Sequence, residues 1–125
     1  MTVVDTSVWV NHFRVPDAEL SKLIELERVA MHPFVVGELA CGNLRMRTVM
    51  IGDFRRLPAV PVASDEEVHR LLEGNRLWGK GLSFIDMHLL AAARKSGFAL
   101  LTADRILGTA ASALGINTHL RQPAQ

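Results

Sequence analysis

Short β-type runs alternate with helical patterns along the whole chain, and this order limits the fold more than any other feature of the sequence. The runs are Thr2-Val3-Val4, Val29-Ala30-Met31, Val60-Pro61-Val62, Ala99-Leu100-Leu101 and Ile116-Asn117-Thr118-His119. Between them, Asp17 caps a helix through Leu26, with Leu20, Leu23 and Ile24 on one face. Ser64 and Glu67 form a capping box for a helix carrying Val68, Leu71 and Leu72. Ser83 opens another, with Ile85, Leu89 and Ala92-Ala93 at helical spacing and Gly97 at its end. A last helix runs from about Arg105 to Leu114 and stops at Gly115. Such alternation favours parallel pairing through helical crossovers. The expected fold is α/β: one three-layer α/β/α domain over residues 1–120, with a mostly parallel central sheet of four to five short strands. Residues 121–125 read as a C-terminal tail.

At 125 residues the chain is long enough for one buried core. A net charge of +1 gives no overall electrostatic case for nucleic acid or membrane. The N-terminus lacks the basic start and apolar run of a signal peptide. No stretch approaches the about 18 apolar residues that span a bilayer. The lone Cys41 excludes an internal disulfide framework and fits a reducing cytosol; a soluble cytoplasmic protein is expected.

Within Pro33 to Gly42, Glu38 is the one charge among apolar or small residues. It reads as a carboxylate set into a nearly all-buried helix, which costs several kcal/mol unless a partner stabilises it. No Lys or Arg lies within one helical turn, so the partner must come from elsewhere in the fold. Asp5 follows the first strand run and Asp104 follows the fourth, at the carboxyl edge where open parallel sheets bind ligands. Asp86 lies in the first turn of the helix that Ser83 opens. Each Asp also has a local explanation: Asp5 and Asp104 stand where helix caps stand, and Ser83 with Asp86 spells a capping box. Glu38, in mid-helix, has none.

Two like charges about 4 Å apart repel by about 1 kcal/mol in bulk water and about 4 kcal/mol at an effective dielectric near 20. A hard divalent cation removes that repulsion. Mg²⁺ and Mn²⁺ prefer oxygen ligands and commonly bridge carboxylates to a substrate phosphate. The chemistry that four such acids suggest is metal-assisted phosphodiester hydrolysis.

Val3-Val4-Asp5-Thr6-Ser7-Val8-Trp9, the helical Glu38, the segment Leu82 to Ala93 and Leu100-Leu101-Thr102-Ala103-Asp104 together resemble the PIN-domain nucleases, and more narrowly the VapC toxins of type II toxin–antitoxin pairs. The resemblance covers the whole chain in order. It implies an endoribonuclease dependent on Mg²⁺ or Mn²⁺ that cuts RNA with metal-activated water. It also implies a VapB-like antitoxin and a homodimer. Carried over by position, Asp5, Glu38, Asp86 and Asp104 are the catalytic, metal-binding acids, and Thr6 and Thr102 are supporting hydroxyls. Many relatives carry a basic residue where this chain has Ala103; Arg105 follows the acid instead and could serve the phosphate from the other side.

Arg45, Arg47, Arg55 and Arg56 cluster with only Asp53 opposing them. They read equally as a solvated helix face or as a guide for the RNA backbone, with Arg45, Arg47, Lys80 and Arg105 the candidate RNA contacts. Gly74 to Lys80 matches the first seven positions of a phosphate-binding loop, but Gly81 stands where Ser or Thr is needed and the segment leaves a helix rather than a strand. The five histidines show no zinc spacing, and Cys41 reads as a small core residue. The alternative function is a PIN-like module that binds RNA or a partner without cutting, which the complete acid set disfavours. A receiver-type signalling domain needs a paired acid after its first strand, where Val4 and Thr6 flank Asp5.

Overall fold

Val3, Val4, Leu100 and Leu101 are each at most 1% exposed, although neighbours along a strand point to opposite faces. Helices must therefore cover the sheet on both sides, as in all-parallel sheets generally. The structure, a computed structural model, describes residues 1–120; the tail expected at 121–125 lies outside them. Its strands are β1 (Thr2–Val4), β2 (Val29–Ala30), β3 (Ala99–Thr102) and β4 (Thr118–Leu120), in the order β2-β1-β3-β4 and all parallel.

The helices are α1 (Thr6–Arg14), α2 (Ala18–Glu25), α3 (Pro33–Cys41), α4 (Arg47–Arg56), α5 (Asp65–Gly74), α6 (Phe84–Ser96) and α7 (Arg105–Ala113). The local signals fix most of their ends. Asp17 accepts the Leu20 amide at the start of α2, and Ser64 with Glu67 closes a capping box on α5. Gly97, in the left-handed region at φ 69, ends α6 and turns the chain into β3.

Of the five expected strand runs, four join the sheet. Val60-Pro61-Val62 does not. Pairing there is a single parallel bridge, Met31 to Ala59, flanked by Met31 N to Pro58 O at 2.7 Å and Val60 N to Met31 O at 3.0 Å. Pro61 has no N–H with which to extend a ladder. The last strand also lies later than expected, at Thr118–Leu120, because the Ile116 amide closes the end of α7, donating to Ala111 O at 3.0 Å.

The order β2-β1-β3-β4 creates a switch point. The connection from β1 leads to β2 on one side, while β3 leads to β4 on the other. The chain thus diverges beyond the carboxyl ends of β1 and β3, which is where such sheets open a binding crevice.

Candidate active site

The register of β1 on β3 pairs Thr2 with Ala99, Val3 with Leu100 and Val4 with Leu101. Asp5, one residue past β1, is thereby brought level with Thr102, the last residue of β3. Asp5 N donates to Leu101 O at 3.0 Å, which carries the pairing to the strand end. Asp5 is 6% exposed and Thr102 is fully buried.

Asp5 stands at the N-cap of α1, yet its carboxylate caps nothing. Its Oδ2 instead accepts two hydroxyls, from Thr102 at 2.7 Å and Ser7 at 2.8 Å. Both hydroxyls are themselves oriented by consecutive amides: Ala103 N donates to Ser7 Oγ at 3.1 Å, and Asp104 N donates to Thr102 Oγ1 at 2.9 Å. A hydroxyl that accepts from an amide can turn its single proton to the carboxylate. Two amides and two hydroxyls therefore hold one oxygen of Asp5.

Asp104 and Asp86 do cap helices, as their spacing predicts. Asp104 Oδ1 accepts from Ile106 N at 2.9 Å and Leu107 N at 3.2 Å at the start of α7. Asp86 Oδ2 accepts from Ser83 N at 2.9 Å while Asp86 N donates to Ser83 Oγ at 3.0 Å, closing the box on α6. Capping and clustering are not alternatives here. Asp86 sits near enough to Asp5 and Asp104 to feel both: burial first, then these two charges, push its pKa above the usual aspartate value against the Ser83 hydrogen bonds.

Glu38 corrects the sequence reading. Helix α3 is not buried all round; it buries Val35, Val36 and Leu39, while Glu38, Gly37 and Cys41 are exposed. The carboxylate therefore needs no buried cation, and its partner is the Thr6 hydroxyl, which donates to Oε1 at 2.7 Å. Thr6 directly follows Asp5, so this bond ties α3 to the same strand end. Cys41 is likewise a surface residue and not part of the core.

A pattern runs through all four acids. Among the described residues, the protein's hydrogen bonds fall on one oxygen of each: Asp5 Oδ2, Glu38 Oε1, Asp86 Oδ2 and Asp104 Oδ1. None of the four forms a salt bridge there. Each side chain is thus oriented while its second oxygen stays available. No three His, Cys, Asp or Glu side chains among the described residues close into a ready-made cage. Such an open, all-oxygen donor set suits Mg²⁺ or Mn²⁺ better than zinc, because Mg²⁺ keeps several waters and uses few carboxylates alongside substrate phosphates.

The candidate cations divide into two places. Arg45 and Arg47 are exposed after α3, and Arg47 Nη1 donates to Gly42 O at 3.3 Å. Arg56 pairs with Asp53 at 3.0 Å. Lys80 and Arg105 instead line one cavity of about 330 Å³ with Leu77, Leu82, Ile106 and Ala110. The segment that mimics a phosphate loop is the turn after α5, as its position behind a helix predicts. His32 and His88 are buried among Phe34 and Phe84 and take no part in the acid network. Ser7 carries no sequence signal beyond its place beside Thr6, and the amide it accepts lies 96 residues away.

A model of the PIN domain matches residues 2–112, a span containing all four acids. The chain belongs to the PIN-domain family. It is 39% identical over 117 residues to Ribonuclease VapC32 of Mycobacterium tuberculosis, covering 93% of this chain and 94% of that one, which places this PIN domain among the VapC ribonucleases. Among solved structures it shares its fold with FitAcB from Neisseria gonorrhoeae, with a TM-score of 0.66 at 19% identity over 94% of this chain and 96% of that one. It also shares it with PAE2754 from Pyrobaculum aerophilum, with a TM-score of 0.63 at 20% identity over 94% and 87%. No helix among the described residues is long and apolar enough to cross a membrane.

Proposed function

We propose that this PIN domain is an endoribonuclease toxin that requires Mg²⁺ or Mn²⁺ and is neutralised by a VapB-like antitoxin. One pattern supports the chemistry: among the described residues the four carboxylates lack cationic partners and each is held through one oxygen. Asp5 and Asp104 follow β1 and β3, Asp86 feels both charges, and Glu38 is tied to Thr6 beside Asp5. When bound there, a divalent ion supplies Lewis acidity at a phosphoryl oxygen and an activated water for in-line displacement. Asp5, Glu38, Asp86 and Asp104 are the residues that would hold it.

The rest of the chain's contribution is orientation. Ser7 and Thr102 fix the Asp5 carboxylate, and Thr6 fixes Glu38. The α7 amides hold Asp104, and Ser83 holds Asp86. Outer partners of this kind set the direction of a metal ligand and are costly to lose. Lys80 and Arg105 would receive RNA phosphates beside the acids. Residues 1–120 form the nuclease domain in this reading. Kinship to a VapC ribonuclease supports the RNA substrate; the antitoxin and a homodimer are what the family resemblance implies.

Thermal melting with EDTA, then with excess Mn²⁺, tests metal binding. A ligand that binds only the folded state adds about 2.7 kcal/mol at a hundredfold excess over its dissociation constant. The wild type should melt higher with Mn²⁺, and Asp5→Asn should lose most of that rise. No rise with Mn²⁺, with or without single-stranded RNA present, would remove the metal from this reading.

A further inference from the structure

The cavity that holds Lys80 and Arg105 has walls from two segments, each adjoining the acid network in sequence. Leu82 immediately precedes Ser83, which binds Asp86, and Arg105 immediately follows Asp104. Its floor is apolar, from Leu77, Leu82, Ile106 and Ala110, and the two cations are its only charges. Neither cation forms a salt bridge among the described residues. The volume of about 330 Å³ is at the small end of the roughly 300–1,000 Å³ found for ligand pockets. It leaves room for a single nucleobase-sized ring.

The wall is built tightly. Gly79 and Gly81 take φ values of 70 and 85, and Arg76 takes 51. A Cβ on Gly81 would meet Ile106 Cδ1 at 3.1 Å, so this loop is seated directly against α7. In the same loop Trp78 is 54% exposed and, among the described residues, makes no ring contact. Unpaired cations, an exposed aromatic and an apolar slot are the means by which proteins take hold of unstacked single-stranded RNA.

We propose that this cavity is a nucleobase subsite. It holds the base of the nucleotide next to the scissile phosphate, and Lys80 and Arg105 receive the phosphate adjoining that base. The proposal rests on the ribonuclease reading and adds to it where the substrate's sequence preference arises. With an apolar floor and few polar groups, the slot selects by ring size and stacking more than by the base's hydrogen-bonding edge.

Thr109, exposed on α7, also lines the cavity, so Thr109→Trp fills the slot from the surface. Fluorescence anisotropy with a short labelled single-stranded RNA, in EDTA and on an Asp5→Asn background, measures binding without cleavage. Thr109→Trp should weaken binding by about tenfold or more, the loss of one stacked base. In the cleavage-competent protein with Mn²⁺, it should also change the base preference at a single position flanking the cut. Lys80→Gln, on an exposed loop, should reduce the slope of log affinity against log salt by about 0.7, one phosphate contact on a single strand. Affinity, salt slope and cut pattern all unchanged would overturn the proposal. So would a changed oligomeric state in light scattering with RNA binding intact, which would make the cavity a surface between proteins. A wild type that cuts no RNA, while Thr109→Trp still weakens RNA binding, would sink the ribonuclease reading and leave the subsite standing.

Discussion

Thr102 Oγ1 donates to Asp5 Oδ2 at 2.7 Å across 97 residues of chain, and the same hydroxyl accepts the amide of Asp104. One buried hydroxyl thus links the acid after β1 to the acid after β3. Thr102→Val should leave the Asp104 amide without its partner and Asp5 with Ser7 alone. The expected costs are about 1–3 kcal/mol of stability for the unsatisfied groups and about 10–100-fold in cleavage for the misdirected ligand. Thr102→Ser should recover most of both, read by urea unfolding and by RNA cleavage.

Thr6 and Glu38 allow orientation to be separated from stability. Glu38 is exposed and its bond to Thr6 crosses between helices at the surface. Thr6→Val should change stability by no more than about 0.5 kcal/mol, as surface substitutions usually do. Cleavage should still fall clearly. Equal losses in both, or neither, would mean that the hydroxyl does not act through Glu38.

Asp86 carries a cost in the metal-free protein. Burial and the charges of Asp5 and Asp104 raise its pKa, so the native state binds this proton more tightly than the unfolded chain does. Its ionised form therefore lowers stability at neutral pH, and that loss is recovered as pH falls through the raised pKa. Asp86→Asn should melt higher than wild type in EDTA and gain little from Mn²⁺. Wild-type metal affinity should begin to weaken, on acidification, above the ordinary aspartate range.

His32 works in the opposite direction. It is fully buried, its Nδ1 accepts the Phe34 amide at 3.0 Å, and burial, then His88, push its pKa down to about 4. The unfolded chain binds this proton near 6.5, so stability is complete above that pH and is lost as pH falls towards 4. Crossing that window in full removes about 3 kcal/mol, the free energy of protonating the unfolded chain ahead of the native one. Asn in place of His32 can keep the cap at the start of α3. Urea melts of His32→Asn should show a flatter decline over this window than wild type.

What the sequence made legible was mostly local. Asp17, Ser64, Ser83 and Gly97 mark helix ends through groups a few residues apart, and the structure uses each as the spacing predicts. The strand ends at Asp5 and Asp104 were also readable, because a short apolar run followed by an acid needs no distant partner. Glu38 shows the limit. Its apolar neighbours suggest burial on every side, but which face of α3 turns outward depends on what packs against it. Ser7 shows another: a bond to an amide 96 residues away leaves no local pattern. The run at Val60 misleads because its valines favour a strand that Pro61, lacking an N–H, cannot extend.

The central claim is that these four acids cut RNA with a divalent ion. Its most direct test is cleavage of single-stranded RNA by purified wild type and by Asp5→Asn prepared identically, each with Mn²⁺ and with EDTA, after circular dichroism has matched their folds. The expected result is cleavage by the wild type with Mn²⁺ and in no other case. Cleavage that survives EDTA, or that persists undiminished in Asp5→Asn, would contradict it.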